Sequence, residues 1–198
     1  MRTVTVTGHG EARVVPDSAV VRVAAVHRAA GVADALAGAD SAARQVVTTG
    51  REHTAPEQIG STAVQIWPTH DQQGVPSGYE ARHSLTLRCA DIAAAGALLT
   101  ALADAVGQRL QIEGVSLEVT ERSAADAAAR EAAYADAVER ATHLAGLAGA
   151  VLGEVQDVLE GGAVTGFPRL AKAFAVDVAI EPGKHAVAAS VTVIFQLR

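Results

Sequence analysis

Seven histidines, His9, His27, His53, His70, His83, His143 and His185, are the side chains of this 198-residue chain best suited to metal binding or proton transfer. None follows another at the interval that would stack two imidazoles on one helix face, and a tetrahedral zinc site wants more nitrogen and sulfur ligands than any local cluster offers. The constellation that a hairpin would join is His70, Asp71 and His83. The plainer reading makes His70 and Asp71 solvated loop residues and puts His83 on a strand face. No metal ligands are therefore assigned.

Other chemistry is equally thin. Gly8-His9-Gly10 has the look of an opening dinucleotide fingerprint, but strand rather than helix follows, so a phosphate would meet no helix N-terminus. Neither a P-loop nor a G-x-S-x-G nucleophile elbow occurs. Glu52 and Glu57 form an acidic pair inside a polar connector, where solvation explains them. Cys89, the single cysteine, follows Leu85 and Leu87 in alternation and reads as a buried structural thiol, since cysteine is among the most buried residue types. The expectation is a protein with no catalytic residues, no cofactor and no enzymatic activity.

Aromatic residues make up only 3% of the chain, yet Trp67-Pro68 and Tyr79 flank one loop. Trp and Tyr bury much area at low entropic cost and are enriched at interfaces. Trp67, Pro68 and Tyr79 are thus candidate contacts with another subunit or partner, the alternative being that both rings cap their own core.

These residues sit in an unusual background. The apolar fraction is 49%, supplied mainly by alanine and valine, so the core is built from small side chains and requires close backbone approach. The net charge is −6 without a basic stripe, which argues against nucleic acid, whose recognition rests on phosphate neutralisation. One cysteine permits no intrachain disulfide. Neither an export signal at the start nor a run of about 20 apolar residues is visible, so a cytoplasmic protein without membrane insertion is expected.

The elements follow from periodicity. Val4 and Val6 alternate with Thr3, Thr5 and Thr7, predicting a strand over 3–13 in which Gly8 and Gly10 mark a bend or bulge. After Pro16-Asp17 a valine-rich strand over 18–29 is expected to complete a hairpin. From Val32 the spacing turns helical, with Val32, Leu36, Ala39, Ala43 and Val46 on one face and Gly50 as the stop. A polar connector over 51–58 leads to strands at 59–68 and 79–89, the second with Glu80, Arg82, Ser84, Thr86 and Arg88 on a solvated face. Asp91 caps a helix carrying Ile92, Ala95, Leu99, Leu102 and Val106, which ends at Gly107. A strand at 110–120 precedes a long alanine-rich helix over 123–149, opened by a capping box at Ser123 to Asp126 and supported by Asp126/Arg130 and Asp136/Arg140. Strands at 152–160 and 187–197 close the chain. Between them 162–180, with Phe167, Leu170, Phe174 and Val176, reads as an extra strand or edge cover, or as a lid. The order ββαββαβαββ has too many hairpins for a doubly wound parallel sheet and predicts an α+β protein.

In this order and spacing the chain resembles the SIMPL-domain family (domain of unknown function 541) along nearly its whole length. The residues that carry the resemblance are Val4-Thr5-Val6-Thr7-Gly8-His9-Gly10 with Pro16-Asp17, Gly78-Tyr79-Glu80-Ala81, the helix containing Ala132-Ala133-Tyr134-Ala135-Asp136-Ala137, Leu152-Gly153-Glu154-Val155, and Pro182-Gly183 before the last strand. The resemblance implies two small two-layer α/β lobes with mainly antiparallel sheets in one SIMPL-like domain, 1–198. Lobe 1 is placed at about 1–57 plus 150–198, and an inserted lobe 2 at about 58–149. It also implies a link to stress tolerance and, in one branch, to kinase-associated signalling, and it supplies no active-site motif. Three readings of function follow: a non-enzymatic binding or assembly protein forming a homo-oligomer through sheet edges or the hairpin; a small-ligand carrier or uncharacterised enzyme using a pocket between lobes; and a signalling adaptor that docks a protein partner.

Overall fold

A computed structural model describes residues 2–161 and 183–198; the segment singled out at 162–180 lies outside the described residues. The elements run β1 (Thr3–Val14), β2 (Ser18–Ala29), α1 (Val32–Gly50), β3 (Ile59–His70), β4 (Pro76–Cys89), α2 (Ile92–Val106), β5 (Leu110–Glu118), α3 (Ser123–Leu147), β6 (Leu152–Glu160) and β7 (His185–Leu197). Short 3-10 turns at Pro56–Gln58 and Gly107–Arg109 lead into β3 and β5. This is the α+β order expected, and both sheets are antiparallel.

The strands form two compact units. One comprises 16–118 among the described residues, the other 2–15, 119–161 and 183–198. The chain thus divides at 15/16 and 118/119, whereas the lobes that the family resemblance implies have boundaries at about 57/58 and 149/150. The difference traces to β1 and β2, which do not pair as a hairpin. β1 lies along β7, from Thr3 opposite Gln196 to Val14 opposite His185, while β2 lies between β4 and β5. β2 is the central strand: Ala19, Val20, Val21, Val23, Ala24, Ala25 and Val26 are buried on both of its faces, the near-continuous apolar run of an interior strand rather than the alternation of an edge hairpin.

The larger unit is a βαββαβ arrangement with strand order β3-β4-β2-β5, the ferredoxin-like topology. Both helices cover one face of its sheet. Val21, Val23, Leu85, Leu87 and Cys89 meet Val46 of α1 and Leu98, Leu99 and Leu102 of α2 in the principal core. On α1 the buried stripe is Ala35, Ala39, Ala42, Ala43 and Val46, not the expected set, for Val32 and Leu36 remain exposed. The caps of α2 are as expected: Asp91 Oδ1 accepts the Ala94 N–H at 2.6 Å, and Gly107 ends the helix at φ +60°.

In the smaller unit the sheet order is β1-β7-β6, with α3 laid over β1 and β7. Its core is Val6, Val191, Val193 and Phe195 against Ala133, Ala137 and Ala141. Gly8 and Gly10 make no bulge, since the β1/β7 register runs through them unbroken. They are glycine because the helix backbone rests on them: a β-carbon on Gly10 would stand 2.1 Å from the Ala129 carbonyl oxygen. At the helix start Ser123 is the first helical residue rather than a cap, and its N–H donates to Glu121 Oε1 at 2.8 Å. The Asp136/Arg140 pair forms at 3.6 Å, whereas Arg130 reaches across to Glu160 at 2.6 Å.

Candidate functional site

The loop joining β3 and β4 is built around Asp71, whose Oδ1 accepts the N–H groups of Gln73 and Val75, both at 2.9 Å. Asp71 is therefore occupied in holding the turn. His83 lies opposite Val64 in the β3/β4 ladder, with Nε2 and Ser61 Oγ 2.8 Å apart, while His70 lies opposite Pro76 at the far end of β3. The structure does not bring His70, Asp71 and His83 together, and among the described residues no group of three His, Cys, Asp or Glu could hold a metal. Glu52 and Glu57 are both exposed.

Trp67 and Tyr79 part company across the sheet. Pro68 is the residue opposite Tyr79, so Trp67, opposite Glu80, projects from the other face. Tyr79 packs with Ala29, Ala35, Ala39 and Ala81 against α1. Trp67 is 37% exposed on β3, which is an edge strand.

Around Trp67 lies an open groove of about 530 Å³, lined by Arg28, Trp67, Thr69, His70, Ser77 and Glu80 among others. Arg28, Glu80 and Trp67 form one row across β2, β4 and β3. Glu80 is only 6% exposed, although it stands on the face expected to be solvated, and the Arg28 guanidinium bonds its carboxylate. The same face carries further cross-strand pairs: Arg82 with Glu113 at 2.5 Å and Gln111 at 2.9 Å, and Arg88 with Glu118 at 2.6 Å. Ser84, 3.3 Å from Glu113 Oε1, is likewise buried under this layer. Long arginine stems covering a sheet explain why alternation alone read the face as solvated.

Cys89 is buried beside α2, and burial, with Asp91 nearby, raises its thiol pKa above the ordinary value. Such a thiol is held in the unreactive protonated form.

Sequence reasoning missed the character of β3 itself. Val64 is 54% and Ile66 39% exposed on this strand, on the face opposite Trp67. The available signal was Pro68, since a proline within a strand run marks an edge.

The fold and the groove define an α+β protein whose most distinctive surface is an apolar sheet edge. The family model for SIMPL, described as a protein of unknown function (DUF541), matches residues 4–195, and the chain belongs to that family. No curated protein matches. Among solved structures, the chain is similar at 22% identity and a TM-score of 0.26 to a hydantoinase/carbamoylase family amidase from Burkholderia ambifaria, over 64% of this chain and 34% of that one. It is similar to AtUAH in complex with glyoxylate at 10% identity and a TM-score of 0.26, over 56% of this chain and 29% of that one. The chain thus spans about a third of the length of these structures. Among the described residues no helix is long and apolar enough to cross a membrane.

Proposed function

We propose that this SIMPL-family chain is a non-enzymatic assembly protein that forms a homo-oligomer, in the stress-related setting that the family resemblance implies. The observation that carries the reading is the exposure of Val64, Ile66 and Trp67 on an edge strand. Edge strands offer unpaired N–H and C=O groups, and a long apolar edge invites pairing with another chain. Three of the groups that could do chemistry support the non-enzymatic side because they are engaged in holding the fold, Asp71 in its turn, His83 with Ser61, and Glu80 with Arg28. Light scattering behind a sizing column, at several concentrations, tests the proposal. A discrete species larger than one chain is expected; a single chain at every concentration would overturn it.

A second reading is favoured by the groove at Trp67, whose volume of about 530 Å³ lies within the range of small-molecule sites. On this reading Trp67 supplies a flat apolar surface and Arg28 a positive charge to a small anionic ligand, without chemistry on it. Saturable quenching of the fluorescence of Trp67, the only tryptophan, by small carboxylates and phosphates would support it, and unchanged fluorescence across such a set would sink it.

A further inference from the structure

Four strands form the sheet edges among the described residues, β1 and β6 in one sheet and β3 and β5 in the other. Three of them are protected in the usual way by charge. β1 carries Glu11 and Arg13, β5 carries Glu113 and Glu118, and β6 carries Glu154, Asp157 and Glu160. Charges on an edge oppose the docking of another strand, and like charges opposite one another oppose self-pairing most. β3, from Ile59 to His70, contains no Asp, Glu, Lys or Arg.

β3 is instead closed at its two ends. The ladder with β4 breaks register between Ser61 and Ala63, leaving Thr62 as the extra residue, and its hydroxyl bonds back to the Ser84 carbonyl at 3.2 Å. At the other end Pro68 stands within the ladder with no N–H to donate, so its nitrogen faces away from β4. Bulge and proline leave free the stretch from Ala63 to Trp67, whose middle residue is Gln65. Alternation from Pro68 turns the N–H groups of Ile66 and Val64 outward, while those of Ala63, Gln65 and Trp67 point to β4.

From this geometry we infer that β3 pairs antiparallel with β3 of a second copy about a two-fold axis through Gln65. The inference rests on the assembly reading and names its partner and register. Val64 faces Ile66 of the second copy, and both pairs bring outward N–H and C=O groups together. Ala63 faces Trp67, so the largest side chain of the edge lies over one of the smallest. Thr62 faces Pro68, which sets the bulge against the one position that cannot donate. Val64 and Ile66 of both copies then make one apolar cluster on the helix-bearing face, and two four-stranded sheets become one of eight. Absence of charge is what selects a second copy over a charged partner strand: self-pairing meets no repulsion here, and a charged strand finds no counter-ion.

The test is a charge exchange at the axis. Gln65 is exposed, so Gln65→Lys and Gln65→Glu are expected to keep the fold, which thermal unfolding of each variant checks. Each variant alone sets like charges opposite each other and should dimerise roughly fivefold or more weakly than wild type by sedimentation velocity. An equal mixture of the two should recover the wild-type species as a heterodimer. If wild type assembles but both variants alone assemble equally well, the register is wrong while the assembly reading stands. If both variants weaken and their mixture does not recover, Gln65 does not face Gln65 and the inference fails. Should wild type be a single chain throughout, both readings fall together.

Discussion

Gly8 of β1 lies directly beneath Ala133 of α3: a β-carbon added to Gly8 would stand 2.1 Å from the Ala133 carbonyl oxygen and 2.8 Å from the Ala137 β-carbon. The contact is backbone on backbone, so nothing flexible can yield. Buried alanines at 129, 133, 137, 141 and 145 continue the close approach along the helix. The tie is reinforced where the His9 N–H donates to Asp136 Oδ2 at 2.8 Å and Arg140 donates to the Thr7 carbonyl at 2.9 Å.

Gly8→Ala is therefore expected to lift α3 from its sheet and destabilise the smaller unit by about 2 kcal/mol or more, at the upper end of overpacking costs. Urea unfolding of the variant checks this. A change of less than about 0.5 kcal/mol, the range of an ordinary surface substitution, would contradict the packing.

The buried Cys89 thiol, with its pKa raised, should resist alkylation by iodoacetamide in the native protein and react promptly in urea. Mass spectrometry of timed reactions reads the difference. Equal rates with and without urea would place this residue at the surface.

Glu121 titrates below the ordinary carboxylate value of 4.5, because the Ser123 side chain and backbone N–H both bond its charged form. A depressed folded pKa stabilises the protein above the unfolded value and loses that contribution as pH falls through the folded value. The start of α3 is thus expected to hold at neutral pH and loosen only in acid below the ordinary carboxylate range. An NMR titration of the Ser123 amide checks it. Glu121→Gln should remove the titration, and a midpoint at or above the ordinary carboxylate value would contradict the bond.

The order of elements was legible because valine and threonine alternate where strands form and alanine recurs at helical spacing where helices form. Strand partners were less so. β1 and β2 are neighbours in sequence and look like a hairpin, but the apolar run of β2 from Ala19 to Val26, interrupted only by Arg22, marks a central strand, and its neighbours β4 and β5 come from far along the chain. Gly8 and Gly10 were misread because a glycine required by close approach looks the same in sequence as one required by a bulge. The cluster of Trp67 and Tyr79 was visible, but their placement on opposite faces depends on Pro68 standing opposite Tyr79, and that register is decided by the intervening turn. Burial of Glu80 is not legible locally because its partner, Arg28, is 52 residues away.

Amide hydrogen exchange along β3 reads whether this edge is paired. The Gln65 and Trp67 N–H groups point into the ladder with β4 and should be protected at every concentration. Those of Val64 and Ile66 point to the free edge, and they are expected to be protected when the protein is concentrated and to exchange freely when it is dilute. Rapid exchange of Val64 and Ile66 at all concentrations, with Gln65 and Trp67 protected throughout, would contradict pairing at this edge.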